Sequence, residues 1–182
     1  ISSICALPGQ TDWSDTSYLE DPKALAVANR GDLKCIFQFD SDGIRKMVKS
    51  GGVDRFNDLV VYSSLYRPST LRKKMDKTYI DRKRGIEKYE IHPVLESILG
   101  DNYGIMVFQE DIMKVLRVVG KIPDMHCEIV RKAISKKKVE VFGKYKEMFI
   151  KNGQEVLNWS QEKVEELWGL VQAFSEYGFN KS

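Results

Sequence analysis

Apolar positions recur along this chain at helical spacing, between frequent stop and start signals that cut it into short helices. Asp21-Pro22 sets an N-cap before a proline at the first helical position, and Asn29-Arg30-Gly31 closes that helix. Ser41 predicts the cap of a helix with Ile44, Met47 and Val48 on one face, ended by Gly51-Gly52. Phe56, Leu59, Val60 and Ser63 predict another, which must stop before Pro68. Thr70 then opens a helix with Leu71, Met75 and Tyr79 inward and its basic residues outward, running to Gly85. After His92-Pro93 comes a short helix to Leu99. The strongest period is Ile105, Phe108, Ile112, Val115, Leu116 and Val119, a single stripe that Gly120 ends. Pro123 starts a helix through Ile129, Val130, Ala133 and Ile134. Two further amphipathic helices follow, on Phe142, Tyr145 and Phe149, and on Val164, Leu167, Trp168, Val171 and Phe174 between Ser160 and Gly178. Only Lys34–Phe39 reads as a strand. The pattern predicts a mainly α fold with at most one or two short β elements.

Composition narrows the class. A chain of 182 residues with 42% apolar and 30% charged positions can bury a core of its own. No apolar run approaches the length of a membrane span, so no membrane partner is expected. Three widely spaced cysteines, Cys5, Cys35 and Cys127, argue against a disulfide framework and for a reducing, cytoplasmic setting. The first residue is Ile1, and we expect a piece of a longer protein.

A net charge of +3 hides a strong asymmetry. Residues 67–84 hold eight bases (Arg67, Arg72, Lys73, Lys74, Lys77, Arg82, Lys83, Arg84) against Asp76 and Asp81. Residues 131–146 hold seven (Arg131, Lys132, Lys136, Lys137, Lys138, Lys144, Lys146) against Glu140. Two such blocks point to a polyanionic partner, against the plainer reading of solvated helix faces.

Catalytic constellations are missing from the pattern. His126-Cys127 are adjacent and point apart on a helix, which is wrong for a metal pair. Nothing activates Cys35 or Cys127 as a nucleophile. Asp12 and Asp15 read as turn residues, and no phosphate-cradling glycine loop occurs. The block Glu128–Lys138 carries more content. If 128–135 is helical, Arg131 and Ser135 share a face with Lys132 and Lys136 beside it, a ladder of donors for successive phosphates. The apolar side of the same helix would be Ile129, Val130, Ala133 and Ile134.

Several stretches in order resemble one family. They are Ile36-Phe-Gln-Phe-Asp-Ser-Asp-Gly43, Tyr66-Arg-Pro68, Tyr79-Ile-Asp-Arg-Lys-Arg-Gly85, His92-Pro-Val-Leu-Glu96, Tyr103-Gly104 with Phe108-Gln-Glu110, Val130-Arg-Lys-Ala133 with Lys136-Lys-Lys138, and Tyr177-Gly-Phe-Asn-Lys-Ser182. The chain resembles the fingers region of the alpha subunit of bacterial DNA polymerase III, the C-family replicative polymerases. Two departures stand out: Ser69-Thr70 follows Arg67-Pro68 where the family has glycine-proline, and Ser135 replaces a glycine. They suggest a distant, phage-borne or mobile-element member and a changed loop geometry.

The resemblance implies residues 31–182 as a multi-helix fingers domain and 1–30 as a connecting segment. It implies template-directed nucleotidyl transfer by a DNA-directed DNA polymerase, with two Mg²⁺ ions held by palm aspartates outside this chain. The piece alone would then be inactive. Arg131 and Lys132 would grip the incoming deoxynucleoside triphosphate, with Lys136 and Lys137 nearby. Arg67, Arg82 and Lys83 would face primer-template DNA or the triphosphate tail. Tyr177, Phe179 and Lys181 would lie at the nascent base pair, although Tyr177 and Phe179 read equally well as helix-end packing. The implied partners are the rest of the alpha subunit and, through regions not present, a sliding clamp and other replisome subunits. The place would be the bacterial cytoplasm. The rival readings are a stand-alone basic helical module that binds nucleic acid without catalysis, and a degenerate piece that binds nothing. A templated nucleotide would add nothing to the former's salt-sensitive DNA binding.

Overall fold

Capping chemistry sets where the helices of this protein begin and end. The computed structural model describes residues 17–175 and 178–181. Helices α1 (Pro22–Arg30), α2 (Asp42–Gly51), α3 (Phe56–Leu65), α4 (Pro68–Arg72) and α5 (Met75–Lys83) come first. They are followed by α6 (Pro93–Leu99), α7 (Gln109–Val118), α8 (Asp124–Ser135), α9 (Val139–Leu157) and α10 (Gln161–Ser175). No strand forms among the described residues, and the one isolated bridge pairs Phe108 with Phe179 in parallel. The fold is mainly α, as the apolar periods predict.

The chain divides into two compact units, residues 1–63 and 64–182. In the first, the Asp21 carboxylate caps α1 by accepting from Lys23 N at 2.8 Å, and Gly31 ends it at φ 76°. Asn29 then ties α1 to the chain after α2, donating to Val53 O at 2.8 Å and accepting from Val53 N at 2.7 Å. Buried Asp58 accepts from Asp54 N and Arg55 N ahead of α3. The expected strand at Lys34–Phe39 is absent. Cys35 and Gln38 have φ of 64° and 66°, and Ile36 N and Phe39 N donate to Leu33 O and Ile36 O. Left-handed residues fold this segment into successive turns, which leaves Phe37 87% exposed.

In the second unit, α9 packs on α8 and α10, α8 packs on α7 and α10, and α7 packs on α6 and α10. Their core gathers Leu116, Val119, Phe149, Trp168 and Val171 among others. Two expectations are corrected here. The helix from Thr70 to Gly85 is broken in two, because Lys74 takes φ 55° between α4 and α5. The stripe beginning at Ile105 is not one helix: Ile105–Phe108 is non-helical, all four residues are buried, and α7 starts only at Gln109. Buried Asp111 causes the switch, since its Oδ2 accepts from Val107 N at 3.1 Å, Phe108 N at 2.9 Å and Asn102 Nδ2 at 3.2 Å.

Candidate functional site

Helix α8 presents the first group of candidate residues. Its start at Pro123 and its buried Cys127, Val130, Ala133 and Ile134 fix its rotation on the core. That rotation differs from the expected one at two positions. Ile129 lies 50% exposed, whereas Arg131 is only 8% exposed. Arg131 occupies the margin of the core face because residues 127, 130, 131 and 134 share one side of a 3.6-residue period.

A cation this covered needs a partner, and Glu128 is that partner. Arg131 Nε and Nη2 each donate to a different Glu128 oxygen at 2.9 Å. Lys132 Nζ lies 3.0 Å from Glu128 Oε1, the oxygen that also serves Arg131 Nη2. The three donors hold the Glu128 carboxyl at a pKa of about 2, with the Arg131 hydrogen bonds the largest cause. Past the helix, Lys136–Lys138 are exposed, and Lys137 turns the chain at φ 56°. Cys127 donates to Ile122 O at 3.5 Å, and burial raises its thiol pKa, the opposite of an activated nucleophile.

The second group forms at the start of α7. Residues 178–181 are held against 107–110: Phe179 N donates to Val107 O, Gln109 N donates to Phe179 O at 2.7 Å, and Gln109 Nε2 donates to Gly178 O at 2.9 Å. Lys181 N completes the strap, 3.2 Å from both Glu110 carboxylate oxygens. Through it Phe179 receives the Arg67 guanidinium 4.0 Å above its ring centroid, and Lys181 Nζ sits 4.9 Å from the centroid of buried Phe108. Arg67 is thus brought to Phe179, 112 positions further along the chain, with Lys181 two residues beyond. Tyr177 lies outside the described residues.

Arg82 belongs to a third arrangement. It donates from Nε to Glu87 at 2.8 Å and from Nη1 to Tyr103 O at 3.2 Å, with its guanidinium 5.0 Å from the Tyr89 ring centroid. Gly104 beside it has φ 77°, and an added Cβ would come within 3.2 Å of the Tyr89 ring. Lys83 is half-buried.

Sequence reasoning marks the cations but passes over Glu128, which holds Arg131 and Lys132, and Gln109 and Glu110, which hold the segment carrying Phe179 and Lys181. The signals present in the sequence are the spacings of three and four from Glu128 to Arg131 and Lys132 on one helix, and the Phe108-Gln-Glu110 triplet. Among the described residues, no three His, Cys, Asp or Glu side chains come together as a metal site. Asp12 and Asp15 lie outside those residues. No helix of the described residues is long and apolar enough to cross a membrane.

Comparison with known proteins gives consistent relatives. The family described as bacterial DNA polymerase III alpha subunit finger domain matches residues 10–156. The DNA polymerase III subunit alpha of Aquifex aeolicus is 36% identical over 165 residues, which is 90% of this chain and 14% of that protein. That of Neisseria meningitidis serogroup A is 36% identical over 92% of this chain and 14% of that protein. That of Streptococcus pyogenes is 35% identical over 90% and 16% respectively. The chain therefore spans roughly a seventh of the length of the curated relatives it matches.

Proposed function

Because the chain belongs to the bacterial DNA polymerase III alpha subunit finger-domain family, we propose that it is the nucleotide-gripping part of a replicative DNA-directed DNA polymerase. In this reading residues 31–182 are the fingers and residues 1–30 lead into them. Arg131 and Lys132 take the triphosphate of an incoming deoxynucleotide, with Lys136 and Lys137 alongside. Arg67, Arg82 and Lys83 face the charged backbone of primer-template DNA, and Phe179 with Lys181 lies at the nascent base pair.

One observation supports the reading most: Arg131 and Lys132 converge on a single carboxylate oxygen within 3.0 Å. Donors that meet on one anionic oxygen in this way suit a phosphate equally well, the guanidinium by its fork and the ammonium as a point charge. The expected chemistry is attack of a primer hydroxyl on the α-phosphate with loss of pyrophosphate, and two Mg²⁺ ions would supply its electrostatic stabilisation. In this reading those ions would be held by palm aspartates outside this chain. What these side chains contribute is binding and orientation. Charge-assisted donors neutralise the triphosphate and hold its α-phosphate in line, a positioning effect rather than a bond-making one.

The test is steady-state primer extension by the complete polymerase chain carrying Arg131→Ala. We expect the nucleotide KM to rise or kcat to fall by roughly one to two orders of magnitude, for a lost charge-assisted contact of ~1.5–3 kcal/mol. Wild-type kinetics in a folded variant would remove Arg131 from the site. DNA binding that a templated nucleotide does not strengthen would favour a non-catalytic nucleic-acid module instead.

A further inference from the structure

Arg131 and Lys132 are neighbours in sequence but differ in freedom. The Arg131 side chain is 10% exposed and that of Lys132 61%, while Glu128, which both contact, is 41% exposed. A covered guanidinium cannot turn to water, so some anion must stand beside it at all times. Glu128 presents a forked acceptor, with Oε2 taking Arg131 Nε and Oε1 shared between Arg131 Nη2 and Lys132 Nζ. Two oxygens of a phosphate group would offer the same donors the same fork.

We infer that Glu128 is a resident stand-in for phosphate, filling the anion position between Arg131 and Lys132 until a triphosphate takes it over. This rests on the reading of Arg131 and Lys132 as triphosphate-facing, and adds to it a built-in competitor. The exchange needs only Glu128 to move, since its exposed carboxylate can rotate into solvent while Arg131 keeps its place. The competitor is permanent, because a carboxyl with a pKa of about 2 stays charged at every physiological pH. An incoming polyphosphate must therefore overcome the resident contact, and its affinity is lowered by whatever that contact contributes.

The test uses the complete polymerase chain carrying these residues and inorganic tripolyphosphate, followed by titration calorimetry and by thermal melts with and without the anion. Glu128→Gln keeps the shape and removes the charge. It is expected to bind tripolyphosphate roughly three- to ten-fold more tightly than wild type, and to gain more in Tm on binding. Equal or weaker binding by Glu128→Gln, in a series where Arg131→Ala abolishes binding, overturns the inference and leaves the triphosphate-facing reading intact. Tripolyphosphate binding that Arg131→Ala and Lys132→Ala both leave unchanged overturns that reading and the inference with it. A second measurement needs no variant. The Glu128 carboxyl ¹³C resonance of the wild-type chain should shift as tripolyphosphate saturates the site, and a resonance that stays in place, or the absence of any binding, overturns the stand-in role. The primer-extension test of Arg131 then judges the nucleotide reading on its own.

Discussion

Single carboxylates organise the chain, and two of them respond to pH in opposite senses. Asp111 satisfies two backbone N–H groups and Asn102 from within the core, so Asp111→Ala would strand those donors. At ~1–3 kcal/mol per buried unsatisfied group, the loss should be about 2–4 kcal/mol in a urea melt. Burial raises the Asp111 carboxyl above its ordinary 3.8, and the hydrogen bonds to Phe108 and Val107 offset this only in part. The native state then holds its proton longer than the unfolded chain does, and stability from Asp111 declines as pH rises from about 4 through the raised value. Glu128 behaves the other way. Its pKa falls from 4.5 to about 2, so its contribution is fully present above pH 4.5 and is lost as pH drops toward 2. Thermal melts between pH 2 and 5 should show wild type losing its advantage over Glu128→Gln as the acid end is approached. A constant offset across that range would mean that the pair contributes nothing to stability.

Among the elements, those bounded by two strong signals were legible in the sequence. Asp21-Pro22 with Gly31 for α1 and His92-Pro93 for α6 are such cases. Where the structure departed, backbone choices invisible to hydrophobic spacing decided the outcome. Ile36, Phe37 and Phe39 have strand-like side chains, yet left-handed Cys35 and Gln38 coil them into turns. Ile105–Phe108 continue a helical stripe by spacing, but the Asp111 carboxylate takes the amides of Val107 and Phe108. The candidate site divides similarly. Basic residues were legible because charge runs are one-dimensional. Glu110 was not, because its role exists only once a remote segment brings Lys181 near, and the weight of Glu128 depends on the burial of Arg131, which its spacing of three residues does not show. The break between α4 and α5 gives a direct test. Lys74 sits at φ 55°, where a Cβ costs ~1–2 kcal/mol relative to glycine. Lys74→Gly should stabilise the chain by about 0.5–1 kcal/mol after the added unfolded-state entropy is counted. A loss of stability in a chemical melt would show that the Lys74 side chain outweighs the strain.

At the scale of the whole molecule, charge distribution matters more than the net +3. Exposed Lys136 and Lys137 follow α8 directly, beyond the Arg131 cluster. If both lie alongside the triphosphate as proposed, the double variant Lys136→Gln/Lys137→Gln should weaken binding of the incoming nucleotide roughly three- to thirty-fold in primer extension by the complete polymerase chain, and the nucleotide affinity should become less sensitive to salt. Unchanged nucleotide affinity and salt dependence would assign these lysines to solvent. The strap of residues 178–181 on 107–110 spans more of the chain than either basic block, and it bears on motion rather than on charge. Three amides, those of Gln109, Phe179 and Lys181, donate across it. Gln109 stands in the first turn of α7, where an amide has no acceptor within its own helix, so its protection comes from the docked Phe179 carbonyl. In deuterated water the three should therefore exchange at one common rate, set by how often the strap lifts, while the amides deeper in α7 keep their hydrogen far longer.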